Sequence, residues 1–120
     1  MSRPVAFVLA AAAVLACCGT LYAAKPGPAP QGDPARGQAV YTRWCTACHG
    51  RGPGHPGTQS LQVKYGGKLP PALEDRTDLA PPVTVQFVRH GFALMPPFRK
   101  TEISDAELRD LAAYLARNRK

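Results

Sequence analysis

Two cysteines and a histidine lie within five residues, Cys45-Thr46-Ala47-Cys48-His49, and they constrain this chain more than any other feature. Three chemistries use such a cluster: a redox-active disulfide, a zinc ion, or a covalently attached haem. Each demands different surroundings. A redox Cys-x-x-Cys pair needs a strand leading into it and βαβ units around it, with a helix N-terminus lowering the thiol pKa. A structural zinc needs four nitrogen or sulfur ligands. A haem attached at Cys-x-x-Cys-His needs a place outside the cytoplasm and a group to face the iron from its second side.

The N-terminus supplies the place. Arg3 is followed by the almost wholly apolar run Val5–Cys18, "VAFVLAAAAVLACC". A basic start and an apolar stretch of this length read as a secretory signal over residues 1–24. A buried core helix would need a polar face, and this run has none. Three fates fit the segment: cleavage after Ala23 or Ala24, lipidation at Cys17 in "VLAC", or retention as a membrane anchor. All three carry the rest of the chain across the cytoplasmic membrane, so the expected location is periplasmic. A membrane association is expected only if the segment is lipidated or uncleaved.

Cleavage after Ala24 removes 24 of the 120 residues, leaving 96, with 14 basic residues against 8 acidic ones. So short a chain makes one domain with a limited core, which a large apolar cofactor would help to complete. Cys17 and Cys18 leave with the signal, so Cys45 and Cys48 are the only thiols that remain and a multi-disulfide scaffold is excluded. The positive charge suits an acidic protein partner. The Lys and Arg residues are scattered and the chain is exported, which argues against nucleic acid.

Residues 25–32, "KPGPAPQG", read as a Pro/Gly linker, and residues 33–120 as the folded domain. Asp33 caps a first helix with Pro34 at its first position, running to about Cys45 or Cys48. Residues 50–58, "GRGPGHPGT", read as loop. Short helical turns are expected around Leu61–Tyr65 and Pro71–Arg76. A helix opening at Asp78 or Pro82 runs through "VTVQFVRH", with Val83, Phe87 and Val88 inward and Gly91 as a left-handed cap. Ser104-Asp105-Ala106-Glu107 is a capping box, and Leu108, Leu111, Ala112 and Leu115 follow at helical spacing. The expected fold is small and all-α: three main helices, short turns and long loops wrapped around a cofactor.

These surroundings decide among the three chemistries. The cluster follows a helix and strands are lacking, against a thioredoxin-like role. Only His55 and His90 could add zinc ligands, and no second Cys-x-x-Cys exists. Haem attachment remains: Cys45 and Cys48 add to the vinyl groups, and His49 ligates the iron as proximal base. Met95, His55 and His90 are the candidates for the sixth ligand. Met95 is the sole methionine after signal removal and lies in the Gly/Pro-bounded loop "GFALMPPF", where Pro96 holds it extended. His90 at a helix end reads as a solvated cap, and His55 in the glycine-rich loop as exposed.

The sequence resembles class I c-type cytochromes over residues 33–118. The resemblance rests on Cys45, Cys48 and His49, on Gly37 and Tyr41 ahead of them, on Leu111 and Tyr114 in the last helix, and on the loop "MPPF". It implies that Gly37 lets the first and last helices approach closely. It also implies a proline carbonyl that accepts the proximal His N–H; Pro53 and Pro56 are the nearby candidates. The stretch "VRHGFALMPPFRKTEISDAELRDLAAYL" is similar to cytochrome subunits of p-cresol methylhydroxylase-type flavocytochromes, which implies a flavin-dependent dehydrogenase as electron donor.

The expectation is therefore a one-electron carrier, not an enzyme, with one haem c. Its partners would be redox proteins, a flavoprotein donor and an oxidase or another cytochrome as acceptor. Lys64, Lys68, Arg99 and Lys100 are candidates for a basic rim at the haem edge. The alternatives are a fixed subunit of an alkylphenol dehydrogenase, or a five-coordinate haem enzyme or sensor in which Met95 stays unbound.

Overall fold

The computed structural model describes residues 31–120. Residues 1–30 lie outside the described residues, and with them the expected signal over residues 1–24 and most of the expected linker. Five α-helices follow in order: α1 Pro34–Trp44, α2 Thr46–His49, α3 Pro56–Tyr65, α4 Pro81–His90 and α5 Asp105–Ala116, with a 3-10 turn at Leu73–Asp75. The only extended pairing among the described residues is an isolated bridge between Phe92 and Met95. The all-α expectation holds.

The helix starts follow from local chemistry. The Asp33 carboxylate accepts the N–H groups of Ala35 and Arg36, and Pro34 occupies the first turn, where its missing N–H costs nothing. At α5 the capping box is complete: Ser104 Oγ accepts the Glu107 N–H at 3.2 Å, and Glu107 accepts the Ser104 N–H at 2.8 Å.

The frame is the crossing of α1 and α5. Val40 and Tyr41 from α1 pack with Leu108, Leu111, Tyr114 and Leu115 from α5 and with Val88, Leu79 and Ile103. Gly37 makes the approach possible. A Cβ there would run into the Asp110 carbonyl and stand 2.8 Å from Tyr114 Cβ. The Tyr41 and Tyr114 rings meet at 5.7 Å. Asp110 ties the same ends together by accepting the Asp33 N–H at 2.7 Å and the Arg36 guanidinium at 2.8 Å. Gly32 lies against the Arg109 backbone in the same way, so the chain is already packed there.

Three local expectations are corrected. Residues 56–65 form a full ten-residue helix rather than loop and short turns. Pro56 sits in its first turn with His55 at the cap, a start signal that the surrounding glycines mask. In α4 the buried residues are Thr84 and Val88, one helical turn apart, while Val83 and Phe87 are 39% and 41% exposed. The stripe facing α5 is thus narrower than the apolar content of "VTVQFV" suggests. Gly91 has the expected positive φ of 68°, but its ψ of 178° turns the chain out at once instead of closing a left-handed cap.

Candidate haem-binding site

The Cys-x-x-Cys-His segment is a tight turn grown from the end of α1. Cys45 caps α1 through its N–H to the Tyr41 carbonyl and keeps right-handed backbone angles into α2. The His49 N–H then bonds the Cys45 carbonyl at 2.8 Å. Three-residue spacing within one turn sets Cys45 and Cys48 on a common side. Both thiols are free. Cys45 packs against the core, and burial, followed by the neighbouring Cys48, pushes its thiol up to about 12. A redox pair needs a thiolate near neutral pH, and no strand leads into this turn. Zinc fares no better: among the described residues no group of three or more His, Cys, Asp or Glu could hold a metal ion.

His49 is half-buried, and burial holds its imidazole toward the neutral form that a metal requires. Its Nδ1 is buried without a hydrogen-bond partner among the described residues. Neither Pro53 nor Pro56 therefore takes this N–H; the Pro56 carbonyl accepts the Ser60 hydroxyl at 2.8 Å. Gly57 lies against the ring instead, and a Cβ there would stand 2.8 Å from Cε1 and 2.9 Å from Nδ1. The turn's carbonyls are held by side chains from two helices. Tyr41 Oη donates to His49 O at 2.7 Å, and the buried Thr58 donates to Gly50 O at 2.8 Å. His55 joins Ala47 O at 3.1 Å and is only partly exposed, which corrects its expected exposure. Gly57 and Thr58 carry no functional signal in the sequence, and their roles follow from α3 starting at Pro56. Tyr41 belongs to the resemblance, but the hydrogen bond of its hydroxyl to His49 O is seen only in the structure.

Met95 is delivered by a loop with its own scaffolding. Phe92 and Met95 exchange backbone hydrogen bonds of 3.0 and 2.9 Å across Ala93-Leu94. Ala93 adopts a φ of 52°, a region usually left to glycine. The Phe98 N–H bonds Val88 O at 2.8 Å, and Arg89 reaches Phe98 O at 3.1 Å, fastening the loop to α4. The Met95 side chain is partly buried against the same core cluster that holds Cys45. Phe87 and Phe92 stack edge to face at 6.0 Å beside it. His90 turns back to Gln86 O at 3.0 Å and stays exposed, as a helix-end residue.

The loop's hinge is Gly91. A Cβ there would stand 2.5 Å from Met95 O and 2.9 Å from Pro97 N. Gly91→Ala should cost about 2 kcal/mol, from positive φ and overpacking together. Thermal unfolding would then fall by about 10 °C in a domain of this size. An unchanged melting temperature would mean that the loop is not fixed at this point.

Of the expected basic rim, Lys64 sits 5.2 Å over the Phe92 ring, close to the Met95 loop. Arg99 and Lys100 pair instead with Glu102 and Asp105, at 3.5 and 2.8 Å.

The donor set fits a c-type haem: two free thiols on one turn, a neutral imidazole with a buried unpartnered nitrogen, a glycine cradle against that ring, and a thioether on the core that backs Cys45. Residues 32–115 match the family model described as cytochrome c oxidase, cbb3-type, subunit III. The chain belongs to this family. It is a class I monohaem c-type cytochrome domain, an electron carrier rather than an enzyme in itself, and its partners are redox proteins. No curated protein and no solved structure matches the chain. The cytochrome's α1–α5 crossing at Gly37 is the close helix approach that the resemblance implied.

Proposed function

We propose that this cytochrome is a periplasmic one-electron carrier with a single haem held covalently through Cys45 and Cys48 and ligated by His49 and Met95. The observation that carries the reading is the convergence of Cys45 and Met95 on one core cluster, with His49 presented from the turn that Cys45 begins. When bound, the haem supplies the Fe(III)/Fe(II) couple. The chain's own residues do the rest. Cys45 and Cys48 offer the attachment thiols, burial keeps His49 neutral, and the Phe92–Met95 turn fixes where the thioether points. Were His49 and Met95 both to hold the iron, no position would be left for substrate or oxygen, and ligation by Met95 is what separates this reading from the five-coordinate alternative.

The export segment supports the periplasmic location, and the family description supports an oxidase as electron acceptor. The likeness of residues 88–115 to flavocytochrome subunits supports a flavin-dependent dehydrogenase as donor. Co-purification from the native source tests both, with a stable flavoprotein complex expected if the chain is a fixed subunit.

Met95 is tested by the weak far-red absorption band that Met–Fe(III) ligation produces. Wild-type ferric protein should show it. Met95→Ala should abolish it and lower the reduction potential by about 100 mV or more, since a Met ligand raises the potential. Absence of the band in the wild type would remove Met95 from the site.

A further inference from the structure

The turn that carries His49 is fixed at its backbone, and the histidine expected to be exposed takes part. We propose that His55 is a positioning residue for the proximal imidazole, acting through the carbonyl of Ala47. The inference rests on the reading of Cys45, Cys48 and His49 as the attachment site.

A carbonyl can only accept, so the contact of His55 Nδ1 with Ala47 O at 3.1 Å requires a proton on Nδ1. The other side of the ring lies over Gly50, where a Cβ would stand 2.7 Å from Cε1 and 2.8 Å from Nε2. His55 thus grips the turn on both flanks of Cys48-His49: a hydrogen bond before the pair and ring packing after it. Its own backbone is fixed, because its carbonyl accepts the Gln59 N–H at 3.0 Å in the first turn of α3. Three residues on, Thr58 is buried and donates to Gly50 O, adding a second hold from the same helix. Tyr41 holds His49 O from α1.

The carbonyls of Ala47, His49 and Gly50 therefore each have a side-chain donor from a helix packed on the turn. Their geometry restricts rotation of the short α2 about its axis. That rotation sets the plane of the His49 ring, because no hydrogen bond at Nδ1 fixes it and the ring packs against Gly57 as the turn presents it. The hold is indirect: His55 does not touch the imidazole.

The test uses holoprotein variants. His55→Asn keeps a donor at the position of Nδ1, while His55→Leu keeps bulk and loses the donor. Haem-methyl hyperfine shifts in the ferric protein report the orientation of the axial imidazole plane. His55→Leu should change their order or spacing and speed amide exchange at Cys48 and His49 about fivefold, the effect of one lost hydrogen bond. His55→Asn should restore both to near wild type. Thr58→Val, which removes only the second hold, should speed exchange at the same amides. A wild-type shift pattern in His55→Leu, or an Asn variant as disturbed as the Leu variant, would overturn the proposal. A wild-type protein with no covalent haem would instead overturn the attachment reading itself, so the two failures are distinct.

Discussion

Cys45→Ser and Cys48→Ser should each lose most of the covalently bound haem, but they should not damage the fold equally. Cys48 is exposed, so its hydroxyl replacement meets water. Cys45 packs on the cluster of Val40, Tyr41 and Leu111, where an added hydroxyl needs a partner. Its burial without one should cost about 1–3 kcal/mol beyond the lost attachment. Both variants should accumulate more unfolded apoprotein than the wild type, Cys45→Ser the more of the two, because so small a core depends on its cofactor. Circular dichroism and haem staining of denatured chains would read fold and attachment separately. A Cys45→Ser protein that folds normally and colourless would show that the core is sufficient without the haem.

The second large effect lies far from the thiols. In an open helix surface Gly37→Ala would stabilise by about 1 kcal/mol through helix propensity. Here the sign should reverse, because the new Cβ meets the Asp110 backbone, which cannot swing aside like a flexible side chain. Gly37→Val should be worse, costing about 3 kcal/mol or more as α1 and α5 are forced apart. That is a large share of the stability of a domain this size, and melting should fall by about 15 °C. A melting temperature at or above wild type in Gly37→Ala would mean that the helices do not cross at this residue.

The contrast between these sites explains what could be read from residues alone. The attachment turn was legible because its chemistry is local: thiols at a fixed spacing and the imidazole beside them. The α1–α5 frame was legible because its signals are also local, the Asp33 cap, the Ser104 capping box and the heptad-like run from Leu108 to Leu115. What escaped was long-range or masked. Pro56 starts α3, yet four glycines around it read as loop. Once α3 forms, His55, Gly57 and Thr58 all face the turn, and none of them carries a motif. Phe87 and Val83 were misplaced for a related reason. Apolar content marks a helix as packed, but only the tertiary frame decides which stripe faces α5, and that stripe is Thr84 and Val88.

The pairing of charges was equally out of reach. Arg51 follows the attachment turn and reaches Glu74 at 2.8 Å and Asp75 at 2.7 Å, bracing the 3-10 turn against it. Tyr114 donates to Glu74 from α5, closing the same network. These links cross more than twenty residues of chain, and no periodicity announces them.

The most direct test is acid–acetone extraction of the purified protein, followed by mass spectrometry of the intact chain. Covalent attachment through Cys45 and Cys48 predicts that the colour stays with the polypeptide and that the purified chain carries the added mass of one haem. Complete loss of colour, with a mass equal to the bare polypeptide and free thiols at Cys45 and Cys48, would contradict it.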